Sequence, residues 1–175
     1  MLNRTLLITD IKSSNCALPI ATPEGEFLAW YSEKGLCALR FPSTAKHSKQ
    51  TGPVPAKIRR WHAATNAALK SALTGQNGKA LPPLDLSAGT EFQRRVWGAL
   101  RKIARGRTLS YAEVAKAVGR PKAVRAVGGA CGANPIPVFI PCHRVVAANK
   151  RLGGFSGGLD WKRALLKREG IRLPD

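Results

Sequence analysis

Acidic residues are scarce. Asp and Glu number 10 against 29 Lys and Arg, so the formal net charge of the 175-residue chain is +19. Long apolar runs are missing too. None approaches the roughly 18–20 residues that cross a bilayer, and no signal peptide opens the chain. A cytoplasmic protein is expected, or a nuclear one in a eukaryote. Only four cysteines occur, Cys16, Cys37, Cys131 and Cys142, and no pair has C-x-x-C spacing. A disulfide framework is not expected in such a chain. His47, His62 and His143 do not complete a recognisable zinc pattern with them. No metal is assigned; a site on Cys16, Cys37 and a distant His is the weaker alternative. At 44% apolar residues the chain has material for a core, which argues against disorder.

The charge is unevenly spread. Residues 1–88 carry 11 basic and 5 acidic side chains, a net of +6; residues 89–175 carry 18 and 5, a net of +13. A surplus concentrated in one half points to a polyanionic partner more than to solubility alone.

The first half reads as a small α/β domain. Arg4–Ile11, Glu26–Ser32 and Leu36–Phe41 look like strands, with turns at Pro23-Glu24-Gly25 and Glu33-Lys34-Gly35. Thr44–Pro55 and Gln76–Pro83 read as loops, and Leu84–Leu86 as a short strand. Ala56–Leu73 has Ile58, Trp61, Ala64, Ala68 and Leu69 near helical spacing, with Gly75 beyond its end. The second half reads as helical. Thr90 with Gln93, and Ser110 with Glu113, are capping boxes ahead of apolar repeats. A turn at Gly119-Arg120-Pro121 leads to a helix from about Lys122 to Ala130, a helix-turn-helix pattern. Small residues line that helix, and Lys122 and Arg125 are its long basic side chains. Tight helix packing through Ala and Gly is the alternative to DNA contact. Asp160–Arg168 reads as a closing helix, with Trp161, Leu165 and Leu166 inward and Lys162, Arg163, Lys167 and Arg168 in water. The expected division is an α/β domain over 1–87 and a mostly α domain of winged-helix type over 88–175.

Chemistry concentrates in Asn134-Pro-Ile-Pro-Val-Phe-Ile-Pro-Cys-His-Arg-Val-Val146. Pro135, Pro137 and Pro141 forbid a regular helix and bias Asn134, Ile136 and Ile140 to extended geometry. The segment should be a stiff, buried strut that delivers Cys142 to a fixed place. A thiol beside an imidazole is a nucleophile candidate, because the thiolate is the reactive form. Adjacent side chains rarely face each other, so His143 would act through a turn or a water. An acid would orient the imidazole, and spacing alone does not choose among Glu91, Glu113, Asp160, Glu169 and Asp175. The following Gly153-Gly-Phe-Ser-Gly-Gly158 lacks the G-K-[ST] ending of a phosphate loop. With exposed Phe155 and Ser156 it suits a lid over a flat substrate, or a flexible connector.

From about Phe92 to Gly170 the chain resembles the O6-alkylguanine-DNA alkyltransferases. The resemblance rests on Phe92-Gln93 with Val96-Trp97, Ser110-Tyr111, Arg125-Ala-Val-Gly128, Asn134-Pro135, Pro141-Cys-His-Arg-Val145, the glycine loop, and Leu165-Leu166 before Glu169-Gly170. The first half is similar in layout only. The resemblance implies repair of O6-alkylguanine in double-stranded DNA, with O4-alkylthymine as a further substrate, after the base is flipped into a pocket. It implies Cys142 as alkyl acceptor, His143 as base through water, and Glu169 orienting His143. Asn134 would bridge helix and strut. Tyr111 would rotate the target phosphate and serve guanine N3. Arg125 would fill the gap in the duplex. Val145, with Cys142, would receive the exocyclic amine; Ser156 would offer an amide near O6, with Phe155 and Gly157 beside it. Gln93, Arg94 and Arg120 match backbone-contact positions, with the helix-turn-helix in the minor groove.

A thioether product is not hydrolysed, so each molecule would act once, and no cofactor is needed; a monomer is expected, and cooperativity along DNA is left open. Phe155 departs from the Tyr of some members and lacks a hydroxyl to bond O6. Three other classes predict different behaviour: a damage-sensing binder without transfer, a thiol hydrolase with many turnovers, and a plain electrostatic binder.

Overall fold

The computed structural model describes residues 16–43, 52–76, 80–148 and 151–173. Three strands form an antiparallel sheet in the order β1 (Cys16–Thr22), β2 (Gly25–Tyr31), β3 (Leu36–Arg40). The β1–β2 turn needs Gly25, whose φ of 119° lies where side chains are disfavoured. The expected strand Arg4–Ile11 lies outside the described residues. Cys16–Thr22, which the sequence reading leaves out, pairs with β2 and carries Pro19 opposite Leu28. A proline breaks the sequence pattern of a strand, yet β1 lies at the edge of the sheet among the described residues, where a missing N–H is tolerated. Leu84 makes only an isolated parallel bridge to Leu36.

Helix α1 (Ala56–Leu73) matches its expected span and packs Ile58, Ala68, Leu69 and Leu73 inward. Thr65 is buried as well, its hydroxyl donating to Trp61 O at 2.8 Å, while Trp61 and Ala64 stay half-exposed. Helix α2 (Glu91–Leu100) starts on the expected capping box: Gln93 N–H donates to Thr90 Oγ1 and Thr90 N–H to Gln93 Oε1. β4 (Leu109–Ser110) leads into α3 (Tyr111–Ala117), whose box pairs Ser110 with Glu113. A turn through Gly119, at φ 71°, reaches α4 (Val124–Gly132). β5 (Val145–Val146) pairs parallel with β4, and α5 (Leu159–Arg168) closes the described chain.

One hydrophobic cluster runs through both halves, from Ile20, Phe27 and Leu39 to Val96, Val127, Ile140 and Leu165. Trp97 fixes α2 on α4 by donating from Nε1 to Ala130 O at 2.9 Å. The sheet touches the chemistry-bearing segment directly: Leu39 N–H donates to Pro135 O at 2.9 Å. Phe27, Phe41 and Trp161 stack between sheet and α5, with ring centroids 4.8–5.5 Å apart.

Candidate active site

The segment before Cys142 is buried as expected but is not an extended strut. It folds into a tight turn, with Ile140 N–H donating to Ile136 O at 2.9 Å and Val138 at φ 75°. Val138 is the one non-glycine residue with positive φ among the described residues, a costly conformation for a β-branched side chain. Asn134 supplies the reason. Its buried amide accepts from Ile136 N–H at 3.0 Å and donates to Ile140 O at 2.7 Å, offering the backbone an alternative to a strand. The same Nδ2 donates to Cys142 Sγ at 3.0 Å.

Cys142 opens a single 3-10 turn, Cys142–Arg144, and is 3% exposed. Burial pushes its thiol pKa up; the Asn134 hydrogen bond and the nearby Lys162 charge pull it back. His143 is 1% exposed and reaches Glu169, with Nε2 3.0 Å from Oε1. Burial pushes the imidazole pKa down and Glu169 opposes this. The neutral ring is therefore favoured, with its proton on Nε2 towards the carboxylate and a lone pair on Nδ1. Nδ1 has no hydrogen-bond partner among the described residues. Of the acids left open by spacing, Glu169 is the one at the imidazole.

Arg144, to which the sequence reading gives no role, holds that acid. Its Nε and Nη2 donate to the Glu169 carboxylate at 2.9–3.2 Å, and Nη1 donates to Ile103 O at 2.6 Å. Burial would raise the Glu169 pKa, but hydrogen bonds from His143 and Arg144 and the nearby positive charge outweigh it and hold the group at about 2. The position of Arg144 directly after Cys142-His143 is the signal the sequence offers.

Lys162 corrects an expectation. Its charge and the composition of the helix put it in water, yet it is fully buried. Its ammonium donates to Val145 O at 2.6 Å, to Leu152 O, and to Gly154 O at 3.4 Å. It thus ties the segment after Cys142 to the glycine loop. Burial pushes its pKa down to about 8, against the pull of the two nearby thiols, Cys142 and Cys131. The signal was helical spacing: Lys162 precedes Leu165 and Leu166 by three and four residues, on the inward stripe.

The β4–β5 pairing puts Tyr111 beside this segment. Its hydroxyl donates to Gly154 O at 3.4 Å, and burial pushes its pKa up to about 12. Phe155 is not exposed as expected; it packs edge-on against Phe41, with centroids 5.7 Å apart. Ser156 is exposed, and Gly157 lies so close to Phe41 that a Cβ there would sit 2.5 Å from the ring. The exposed face of α4 carries Arg125, Ala126, Gly129 and Gly132. Nothing lies within 4 Å of a Cβ built on either glycine, so bare backbone faces outward. Arg94 and Arg120 are exposed, while Gln93 commits its carbonyl oxygen to the α2 cap. Among the described residues no cluster of three His, Cys, Asp or Glu could hold a metal, and no helix is long and apolar enough to cross a membrane.

The family profile described as "6-O-methylguanine DNA methyltransferase, DNA binding domain" matches residues 91–171. A crystal structure of the Mycobacterium tuberculosis protein OGT in complex with DNA has a TM-score of 0.74 to this chain. It is 37% identical, over 88% of this chain and 92% of that one. The chain belongs to the 6-O-methylguanine DNA methyltransferase family. The structural likeness covers both halves, whereas the motifs of the resemblance lie in the second half and the first resembles the family in layout only. The methylated-DNA--protein-cysteine methyltransferase of Methanosarcina acetivorans is 56% identical over 82 residues, covering 47% of this chain and 53% of that protein. The Mycobacterium bovis protein of the same name is 54% identical over 91 residues, covering 52% and 54%. The matched stretch thus spans about half the length of these curated relatives.

Proposed function

We propose that this chain repairs DNA by moving the alkyl group of O6-alkylguanine, and of O4-alkylthymine, from the duplex onto its own Cys142. The observation that carries this is the arrangement of a buried thiol held by Asn134 beside a His143–Glu169 pair whose Nδ1 is left free to accept a proton. In the reaction His143 Nδ1 accepts the thiol proton through a bridging water, and Glu169, locked as a carboxylate by Arg144, stabilises the imidazolium. The sulfur attacks the alkyl carbon as its bond to O6 breaks. The electron pair stays with guanine, which takes up a proton with Tyr111 assisting at N3. Val145, Phe155, Ser156 and Gly157 hold the base.

The base must leave the stack to reach a sulfur this buried. The α3–turn–α4 unit acts as the helix-turn-helix, and the bare face of α4 suits close approach to a minor groove. Arg125 fills the vacated place; Gln93, Arg94 and Arg120 meet the backbone. Residues 88–175 form the reactive domain and 1–87 its support. The protein acts as a monomer. Because the thioether persists, each molecule transfers once. Titrating limiting protein with excess O6-methylguanine duplex tests this: transferred methyl plateaus at one per protein. Continued turnover would favour a hydrolase, and equal affinity for alkylated and ordinary duplex without transfer would favour a plain electrostatic binder.

A further inference from the structure

Between β3 and the glycine loop lies a cavity of about 290 Å³. Arg40, Phe41 and Ser43 come to it from the N-terminal half, and Asn134, Ser156 and Gly157 from the C-terminal half. Asn134 faces this cavity and also donates to the sulfur of Cys142. The two walls are locked together. Leu39 N–H donates to Pro135 O at 2.9 Å, and Phe41 packs against both Phe155 and Gly157. A water molecule takes up ~30 Å³ of the liquid, so the cavity has room for an adduct of several heavy atoms. No carboxylate lines it, and Arg40 forms no ion pair among the described residues.

We infer that Arg40 is a specificity-determining residue of the N-terminal half, and that this cavity takes O6-alkyl adducts ending in a carboxylate, such as carboxymethyl. This rests on the proposed transfer to Cys142. A guanidinium presents a planar fork of donors that matches a carboxylate, and the bond is charge-assisted. The transfer itself is unchanged. The S–C bond forms at the adduct's CH2 as its C–O6 bond breaks; the electron pair and a proton end on guanine, and the carboxylate stays intact on Cys142.

The test compares three duplexes, carrying O6-methyl-, O6-carboxymethyl- and the uncharged O6-carbamoylmethyl-guanine, with the full-length wild type and Arg40→Gln. The wild type should react with the carboxymethyl duplex about tenfold faster than with the carbamoylmethyl one, the scale of one hydrogen bond to a charged group. Arg40→Gln should lose that preference while its methyl transfer stays within about twofold of the wild type. Equal rates on the two larger adducts in the wild type would overturn the inference. So would an equal loss on all three duplexes, accompanied by weaker binding to undamaged DNA, since Arg40 would then be a phosphate contact. A wild type that transfers no methyl would instead sink the underlying reaction.

Discussion

Asn134 Nδ2 stands 3.0 Å from Cys142 Sγ and 2.7 Å from Ile140 O, so one amide both shapes the turn and touches the sulfur. Replacing it separates these jobs. Asn134→Ala leaves Ile136 N–H without its acceptor and Ile140 O with Cys142 N–H alone, and the orphaned buried donor costs about 1–3 kcal/mol. Chemical denaturation should show that loss. Asn134→Asp retains an acceptor for Ile136 N–H but sets a negative charge beside the thiol, which disfavours the thiolate. Its alkyl transfer should therefore slow and shift to higher pH. Unchanged rate and pH profile in Asn134→Asp would mean that the contact to sulfur has no part in the reaction.

Glu169 is held at about 2, well below the ordinary glutamate value of 4.5. A depressed carboxylate stabilises the fold fully above its unfolded pKa, and the contribution is lost as pH falls towards the folded one. Wild-type stability should fall between pH 4.5 and 2, and Glu169→Gln should show a shallower fall across that window. With only ten acidic residues in the chain, one carboxylate is a visible share. Denaturant melts at several pH values read the slope; identical slopes would contradict the His143–Glu169–Arg144 geometry.

Lys162 joins Val145 O to the glycine loop from a buried position. Lys162→Met keeps the apolar stem but takes the ammonium away from Val145 O and Leu152 O, and leaves Gly154 O with the Tyr111 hydroxyl alone. Global stability should drop by roughly 2 kcal/mol or more. The loop at Leu152–Gly154 should show faster amide hydrogen exchange than the sheet, which keeps its own hydrogen bonds. A surface lysine would give neither effect, since such substitutions stay within about ±0.5 kcal/mol.

Gly89 lies under the Trp97 ring, where an added Cβ would come within 2.3 Å of it. Gly89→Ala must displace the indole or the backbone, so a loss of about 1–3 kcal/mol is expected, the range for overpacking. Thermal melts check this, and Trp97 fluorescence should shift with it. An unaltered melting temperature would mean the N-terminal approach to α2 is looser than described.

Local signals proved the most legible part of the chain. Both capping boxes and the full span of α1 could be read directly, because each depends on residues a few positions apart. Cys142 and His143 were also legible, being adjacent in a proline-stiffened segment. Other features were hidden because they depend on distant partners. By spacing Glu169 is one of five acids and only the resemblance singles it out; the fold sets it at His143. Lys162 looked like solvent-facing charge because its acceptors, backbone carbonyls, leave no trace in composition. The turn at Val138 was masked by prolines that favour extension, and Asn134 overrode them with hydrogen bonds. β1 is obscured by Pro19, which fits its place at the sheet edge among the described residues.

The most direct test of the central claim is intact-mass and peptide mass spectrometry after incubation with O6-methylguanine duplex. The account predicts a gain of one methyl group per protein, mapped to the Cys142 peptide, with Cys142→Ser showing no gain while still binding the duplex. An unchanged wild-type mass, or a methyl group found on Cys16, Cys37 or Cys131, would contradict it.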